Sequence, residues 1–206
     1  MRSIGEFFEL LYLRCTVAFY NLKEEMRVRK RFYSFKKLDE AILAGPNPYK
    51  VPKAFPYGET PLTTLQQIAN RWSISSADYF VELGCGRGRG VFFMSYYTGC
   101  KAKGVDWVSV FISNAQMAQR MCSNLPVTFV CADITQVDLS SATVIYLYGT
   151  CLDDPTIARL SETFKQLPPQ VKIITVSYPF PGLTIQDQME ASFPWGKTDV
   201  YMSSLS

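Results

Sequence analysis

The chain's 206 residues are 48% hydrophobic and 14% aromatic, which suits one compact domain with a substantial core plus an appendage and excludes a disordered chain. Lys and Arg total 21 against 18 acidic residues, and a formal charge of +3 is too mild to imply nucleic acid. There is no histidine, so the commonest metal ligand and the usual neutral-pH base are missing; zinc, Ser-His and Cys-His chemistry are poor candidates and no metal is expected.

Ile4 to Leu22, IGEFFELLYLRCTVAFYNL, is long enough to cross a bilayer but is interrupted by Glu6, Glu9 and Arg14. Each such charge costs roughly 2.5 to 3.5 kcal/mol near a bilayer centre, so an amphipathic helix is predicted that docks on the domain or lies on a membrane surface. Lys23, Arg27, Arg29, Lys30, Arg31, Lys36 and Lys37 follow it, a solvated helix face or a flank for an acidic partner or membrane. A second helix is predicted over Phe32 to Leu43, ended by Gly45-Pro46, after which Pro48, Pro52 and Pro56 mark an extended connector. Residues 1–56 therefore read as a helical extension with a Pro-rich connector, and 57–206 as the main domain. Thr60-Pro61 reads as an N-cap with Pro at the first helical position, opening a helix to about Trp72.

Beyond that point the pattern alternates. Strand-length apolar runs fall at Tyr79–Leu83, Ala102–Val105, Val127–Val130, Val144–Tyr148 and Val171–Ser177, with helical stretches at Gly90–Tyr97, Val108–Ser123 and Thr156–Leu167. Strand then helix, repeated, predicts a parallel sheet with helices on both faces. Thr184–Pro194 and Thr198–Leu205 flank Trp195-Gly196-Lys197, read as a closing hairpin that adds an antiparallel strand. The six cysteines form no CxxC pair and no secretory signal is evident, so reduced thiols in a cytoplasmic setting are expected.

VELGCGRGRG, Val81 to Gly90, puts four glycines on alternate positions behind an acidic residue, at the carboxyl edge of the first strand. A GxGxxG dinucleotide loop is not formed from either Gly84 or Gly86, and a GK[ST] phosphate loop is absent. Glu82 would repel a pyrophosphate and suit a ligand with an amino group, a property of S-adenosylmethionine. Asp106 ends the second strand in KGVDWV, placed to accept from both ribose hydroxyls, and Asp133 follows the third in FVCADIT, placed to accept from the adenine amino group. Trp107 or Val108 offers an apolar wall. The predicted cofactor set is thus Glu82, Gly84, Cys85, Gly86 and Gly88, with Asp106, Trp107, Asp133 and Ile134. Cys85 and Cys131 read as small packing residues, and Arg87 and Arg89 as solvent-facing loop charges.

These residues resemble the class I, seven-stranded S-adenosylmethionine-dependent methyltransferases. VELGCGRGRG is similar to that family's first motif, Asp106 and Asp133 to its next two acidic positions, and the closing hairpin to its reversed last strand, over Tyr57 to Leu205. The resemblance implies a Rossmann-like three-layer αβα sandwich with a mostly parallel seven-stranded sheet and an antiparallel last strand. A narrower resemblance joins Tyr57-Gly-Glu-Thr60-Pro61, Tyr148-Gly-Thr150-Cys151 and SYPFP, Ser177 to Pro181, to the non-SET protein lysine methyltransferases, which include the seven-strand histone H3 enzyme and mitochondrial enzymes that modify an ATP-synthase subunit. In that group the segment before the first strand folds over the methionine end of the cofactor, implicating Tyr57 and Thr60. The loops after strands four and five form the acceptor channel, implicating Tyr148, Thr150 and Tyr178. The chain differs from the histone enzyme in lacking its large helical extension and its asparagine-rich fourth-strand loop.

Where an Asn-Pro-Pro-Tyr loop would serve planar amine acceptors, this chain has YLYGTCLDD, which argues against those acceptors without selecting lysine. Tyr57, Tyr148, Tyr178 and Phe180 read either as an aromatic wall that favours a neutral lysine amine or as core packing. Asp153 and Asp154 read as a helix cap and first turn ahead of Pro155 rather than a base. The expected partner is a protein lysine or a small molecule, with a lipid or quinone as the alternative acceptor. A catalytically silent cofactor-binding or membrane-surface scaffold is the alternative of another class.

Overall fold

A computed structural model describes residues 35–45, 58–121, 124–150 and 152–205. The predicted helix at Ile4–Leu22 and Tyr57 lie outside these residues. In chain order the elements are α1 (Lys36–Leu43), α2 (Leu62–Arg71), β1 (Tyr79–Leu83), α3 (Arg89–Thr98), β2 (Lys101–Asp106), α4 (Ser109–Met121), β3 (Val127–Cys131), a 3₁₀ turn (Ile134–Gln136), β4 (Val144–Leu147), α5 (Asp154–Phe164), β5 (Lys172–Val176), β6 (Thr184–Phe193) and β7 (Gly196–Ser204).

The strands form one seven-stranded sheet in the order β3-β2-β1-β4-β5-β7-β6. β1 to β5 pair in parallel, whereas β7 runs antiparallel between β5 and β6. The expected architecture is therefore present. Strand order reverses between β1 and β4, where the carboxyl ends of neighbouring strands open a crevice. The hairpin turn is shorter than the sequence suggested: Phe193 pairs with Gly196 across Pro194-Trp195, which carries the Trp195 side chain to that same edge.

Both faces of the central strands are apolar because helices cover both. Phe80, Val144 and Tyr146 face α1 to α4, and Val81, Leu83, Ile145 and Leu147 face α5. Phe35, Leu38 and Ile42 of the α1 region join the first cluster. Each such side chain contributes roughly 1.5 to 3 kcal/mol on burial, which holds an eight-residue helix too short to persist alone. Outward carbonyls of edge strand β3 are covered by α4: Gln119 Nε2 donates to Val127 O at 2.7 Å and Gln116 Nε2 to Phe129 O at 3.1 Å.

α2 starts differently from expectation. Pro61 is the N-cap, and the Thr60 side chain does not cap the helix. Its hydroxyl is instead 2.6 Å from Tyr146 Oη, tying the segment before α2 to the middle of the sheet. By contrast, Asp153 caps α5 as expected, accepting from Thr156 N at 3.0 Å.

Candidate active site

The loop after β1 turns sharply because two successive amides, Gly84 N and Cys85 N, both donate to Val105 O on β2, at 2.8 and 3.0 Å. Gly84, Gly86 and Gly88 all have positive φ; at Gly86 the value is +51°, which a β-branched residue avoids. Gly90, the first turn of α3, is needed for a different reason. A Cβ there would sit 2.7 Å from Glu82 Oε2, so the missing side chain is what admits the carboxylate.

Glu82 is 8% exposed and its Oε2 has no hydrogen-bond partner, although Val91 N–H donates to the carboxylate. Burial above all, then the charges of Glu59 and Asp106, push its carboxyl up to about 8. A buried, unpartnered carboxyl between two like charges is costly to keep unless a cation arrives. An ammonium group fits that position.

Asp106, also 8% exposed, is anchored by backbone: Gly86 N donates to Oδ2 and Val108 N to Oδ1, each at 2.8 Å. Each oxygen keeps a second lone pair, enough for a vicinal diol. Trp107 beside it, at the strand end, is 66% exposed. Asp133 is exposed and caps the 3₁₀ turn through Oδ1 alone, accepting from Thr135 N and Oγ1 at 2.8 and 2.9 Å. Those bonds, the backbone one first, hold its carboxyl below the usual range, and Oδ2 accepts nothing among the described residues. Ile134 is half-buried against the α5-side cluster. Glu82, Asp106 and Asp133 thus lie at or just past the carboxyl ends of the adjacent parallel strands β1, β2 and β3. Buried Cys85 packs in the core as expected, its thiol pushed up first by burial. Cys131 does not: it is exposed at the end of β3, its Sγ 3.6 Å from Trp107 O.

Arg87 and Arg89 are not solvent-facing. Both are buried because each finds a carboxylate from the segment before β1. Arg87 donates from Nε and Nη2 to Glu59 Oε1 at 2.9 and 2.7 Å, and Arg89 from Nε and Nη2 to Asp39 Oδ1 and Oδ2 at 2.6 and 3.0 Å. Asp39 lies on α1, so both arginines of the glycine motif hold preceding chain against the sheet edge. Gly58 and Thr60 complete this strap. A Cβ on Gly58 would be 3.1 Å from the Tyr148 ring, and Thr60 bonds Tyr146, whose hydroxyl is pushed well up by burial.

On the other side of the crevice, Tyr148 follows β4 and accepts a hydrogen bond from Trp195 Nε1. Phe193 joins them, its ring centroid 5.5 Å from Tyr148 and 5.3 Å from Trp195. Thr150 is exposed on the same loop as Tyr148, and Tyr178 is 71% exposed past β5. Phe180 is no wall of this crevice; it packs 4.8 Å from Phe164 in the α5-side core. Sequence reasoning missed Glu59, Phe193 and Trp195. The tryptophan in the hairpin turn was the available signal for the last, since an apolar ring at such a tip needs a partner.

Solved structures with this fold include an RNA methyltransferase from Salinibacter ruber in complex with S-adenosyl-L-homocysteine, at 21% identity and TM-score 0.61, covering 72% of this chain and 94% of that one. Magnesium protoporphyrin IX methyltransferase from Synechocystis PCC 6803, with the same product bound, is 13% identical at TM-score 0.57, covering 70% and 83%. An S-adenosylmethionine-dependent methyltransferase from Geobacter sulfurreducens is 17% identical at TM-score 0.51, covering 65% and 68%. No curated protein sequence matches the chain. The family model described as histone methylation protein DOT1 matches residues 43–188, most of the chain, with Glu59, Glu82, Asp106, Asp133 and Tyr148 inside the match and Asp39, Phe193 and Trp195 outside it, and the protein belongs to that family as a class I methyltransferase that uses S-adenosylmethionine.

Proposed function

We propose that the protein transfers the methyl group of S-adenosylmethionine to a lysine side chain of a protein. The observation that carries this reading is the Tyr148–Trp195–Phe193 cluster, set across the strap from Glu82, whose Oε2 has no hydrogen-bond partner. Glu82 holds the amino group of the cofactor, Asp106 the ribose hydroxyls and Asp133 Oδ2 the adenine amino group, with Trp107 and Ile134 along the base. Gly84, Gly86 and Gly88, with Cys85 between them, let the backbone approach. The strap, Gly58 to Thr60, closes the methionine end.

When bound, the cofactor supplies a methyl group on a sulfonium, an electrophile that needs no further activation. What remains for the protein is alignment and the acceptor's proton. Orientation alone can supply about 7 to 11 kcal/mol of a displacement barrier. Aromatic faces at Tyr148 and Trp195, backed by the buried Phe193 ring, attract a lysine ammonium but solvate it worse than water does, so its proton leaves to solvent more readily and the neutral amine attacks. Trp195 Nε1 donates to Tyr148 Oη, which ties the tyrosine ring to the hairpin tip. Tyr178 and Thr150 border the entrance. The family's name favours a protein acceptor over the RNA and porphyrin substrates named for proteins of similar fold.

The test is incubation of the protein with methyl-labelled S-adenosylmethionine and cell lysate, followed by digestion and mass analysis. Label in methyllysine is expected. Label in RNA, lipid or small molecules overturns the acceptor, and no label from a protein that still binds S-adenosylhomocysteine makes it a silent scaffold.

A further inference from the structure

We propose that the cofactor enters with release of one proton from Glu82, and that the Glu59–Arg87 ion pair on the strap sets the pH at which this happens. This rests on the reading of Glu82 as the amino-group partner. The groups around Glu82 come from every element of the loop region. Glu59 faces it from the strap, Asp106 from the end of β2, Cys85 from the glycine loop and Tyr146 from β4. Gly90 brings α3 against it without a side chain, and Val91 donates one amide.

Among these groups there is no cation paired with Glu82. Arg87 donates from Nε and Nη2 to Glu59, and both Asp106 oxygens accept backbone amides. Glu82 Oε2 is left buried and unpartnered. A carboxyl in that setting holds its proton at neutral pH. Binding is then an exchange: the O–H bond of the Glu82 carboxyl breaks, its proton goes to solvent, and the ligand's ammonium, still charged, takes the place beside the carboxylate. Charge balances, with one proton out for one cation in.

The pair on the strap acts on this exchange with a sign. Glu59 raises the proton affinity of Glu82, and Arg87 partly cancels that effect by holding the Glu59 charge. Glu59→Gln should therefore ease ionisation of Glu82, and Arg87→Gln should hinder it. A pair that only fastened the strap would weaken binding in both variants, equally at every pH.

Calorimetric titration of the full chain with S-adenosylhomocysteine at pH 7, in buffers of different ionisation heat, should show close to one proton released per ligand. Affinity should rise about tenfold per pH unit below neutrality and flatten above pH 8. The midpoint of that rise should move to lower pH in E59Q and to higher pH in R87Q. Binding without proton release, or midpoints that move the same way in both variants, overturns the inference. Absence of binding by the unmodified chain at every pH overturns the cofactor site instead. The proton count needs no variant, so it decides even where a substitution prevents folding.

Discussion

The two halves of the carboxyl edge are built by different means. On the β1–β3 side, the chemistry sits within a few residues of three strand ends: carboxylates on Glu82, Asp106 and Asp133, and a backbone bend held by Val105 O. On the β4–β7 side, the side chains of Tyr148, Phe193 and Trp195 meet one another, and the bare backbone of Gly58 leaves room for the Tyr148 ring; the four come from three distant stretches. In the proposed function the first half recognises a small molecule of fixed shape, so strand register alone can place its groups. In the proposed function the second meets the acceptor, and its geometry depends on how a hairpin tip and a strap pack across the sheet.

If the halves are as separate as this geometry makes them, substitutions should sort cleanly between binding and turnover. The largest effect is expected on the first side. Gly86→Val puts a β-branched residue at φ +51° and should abolish detectable S-adenosylhomocysteine binding by calorimetry while circular dichroism stays native. Glu82→Gln removes an ion-paired contact of about 1.5 to 3 kcal/mol, a loss of roughly 10- to 150-fold in affinity. The same variant should gain stability without ligand. Glu82 binds its proton more tightly folded than unfolded, so its contribution is present below pH 4.5 and is lost as pH rises to about 8. The Tm difference between E82Q and the unmodified protein should therefore grow across that window; a constant difference would show that Glu82 is not buried neutral.

Smaller and opposite in kind is the effect expected across the crevice. Tyr148→Phe leaves Trp195 Nε1 without its acceptor and should lower kcat about tenfold, the value of one hydrogen bond, with affinity for S-adenosylhomocysteine within about twofold. A matching loss of cofactor affinity would merge the two halves into one. The smallest change belongs to Asp153→Ala. Its carboxyl is held below the usual range by the Thr156 hydroxyl and amide, the signature of a cap, so turnover should stay within about twofold while Tm falls by a few degrees. A large fall in kcat would make Asp153 a base.

Much of the first half was legible in the chain because its determinants are local. Glycines on alternate positions after a strand, and an acid at each of three strand ends, are fixed in space once the strands pair in parallel. Side-chain partners across the sequence were not legible. Arg87 and Arg89 read as surface charges because their carboxylates, Glu59 and Asp39, stand 28 and 50 residues earlier. Thr60 read as a helix cap because Tyr146, which takes its hydroxyl, lies 86 residues on. Phe180 read as a channel wall because nothing in SYPFP tells which side of the sheet the ring enters, and it enters beside Phe164.

By itself, then, the sequence determined the sheet, its helical layers and the acidic, glycine-lined rim, since hydrophobic period and strand-end position are properties of short segments. Only the tertiary structure decided which charges are buried, what the strap holds and which aromatic rings meet at Tyr148. Those depend on contacts between segments far apart in the chain, whose energies no local pattern records.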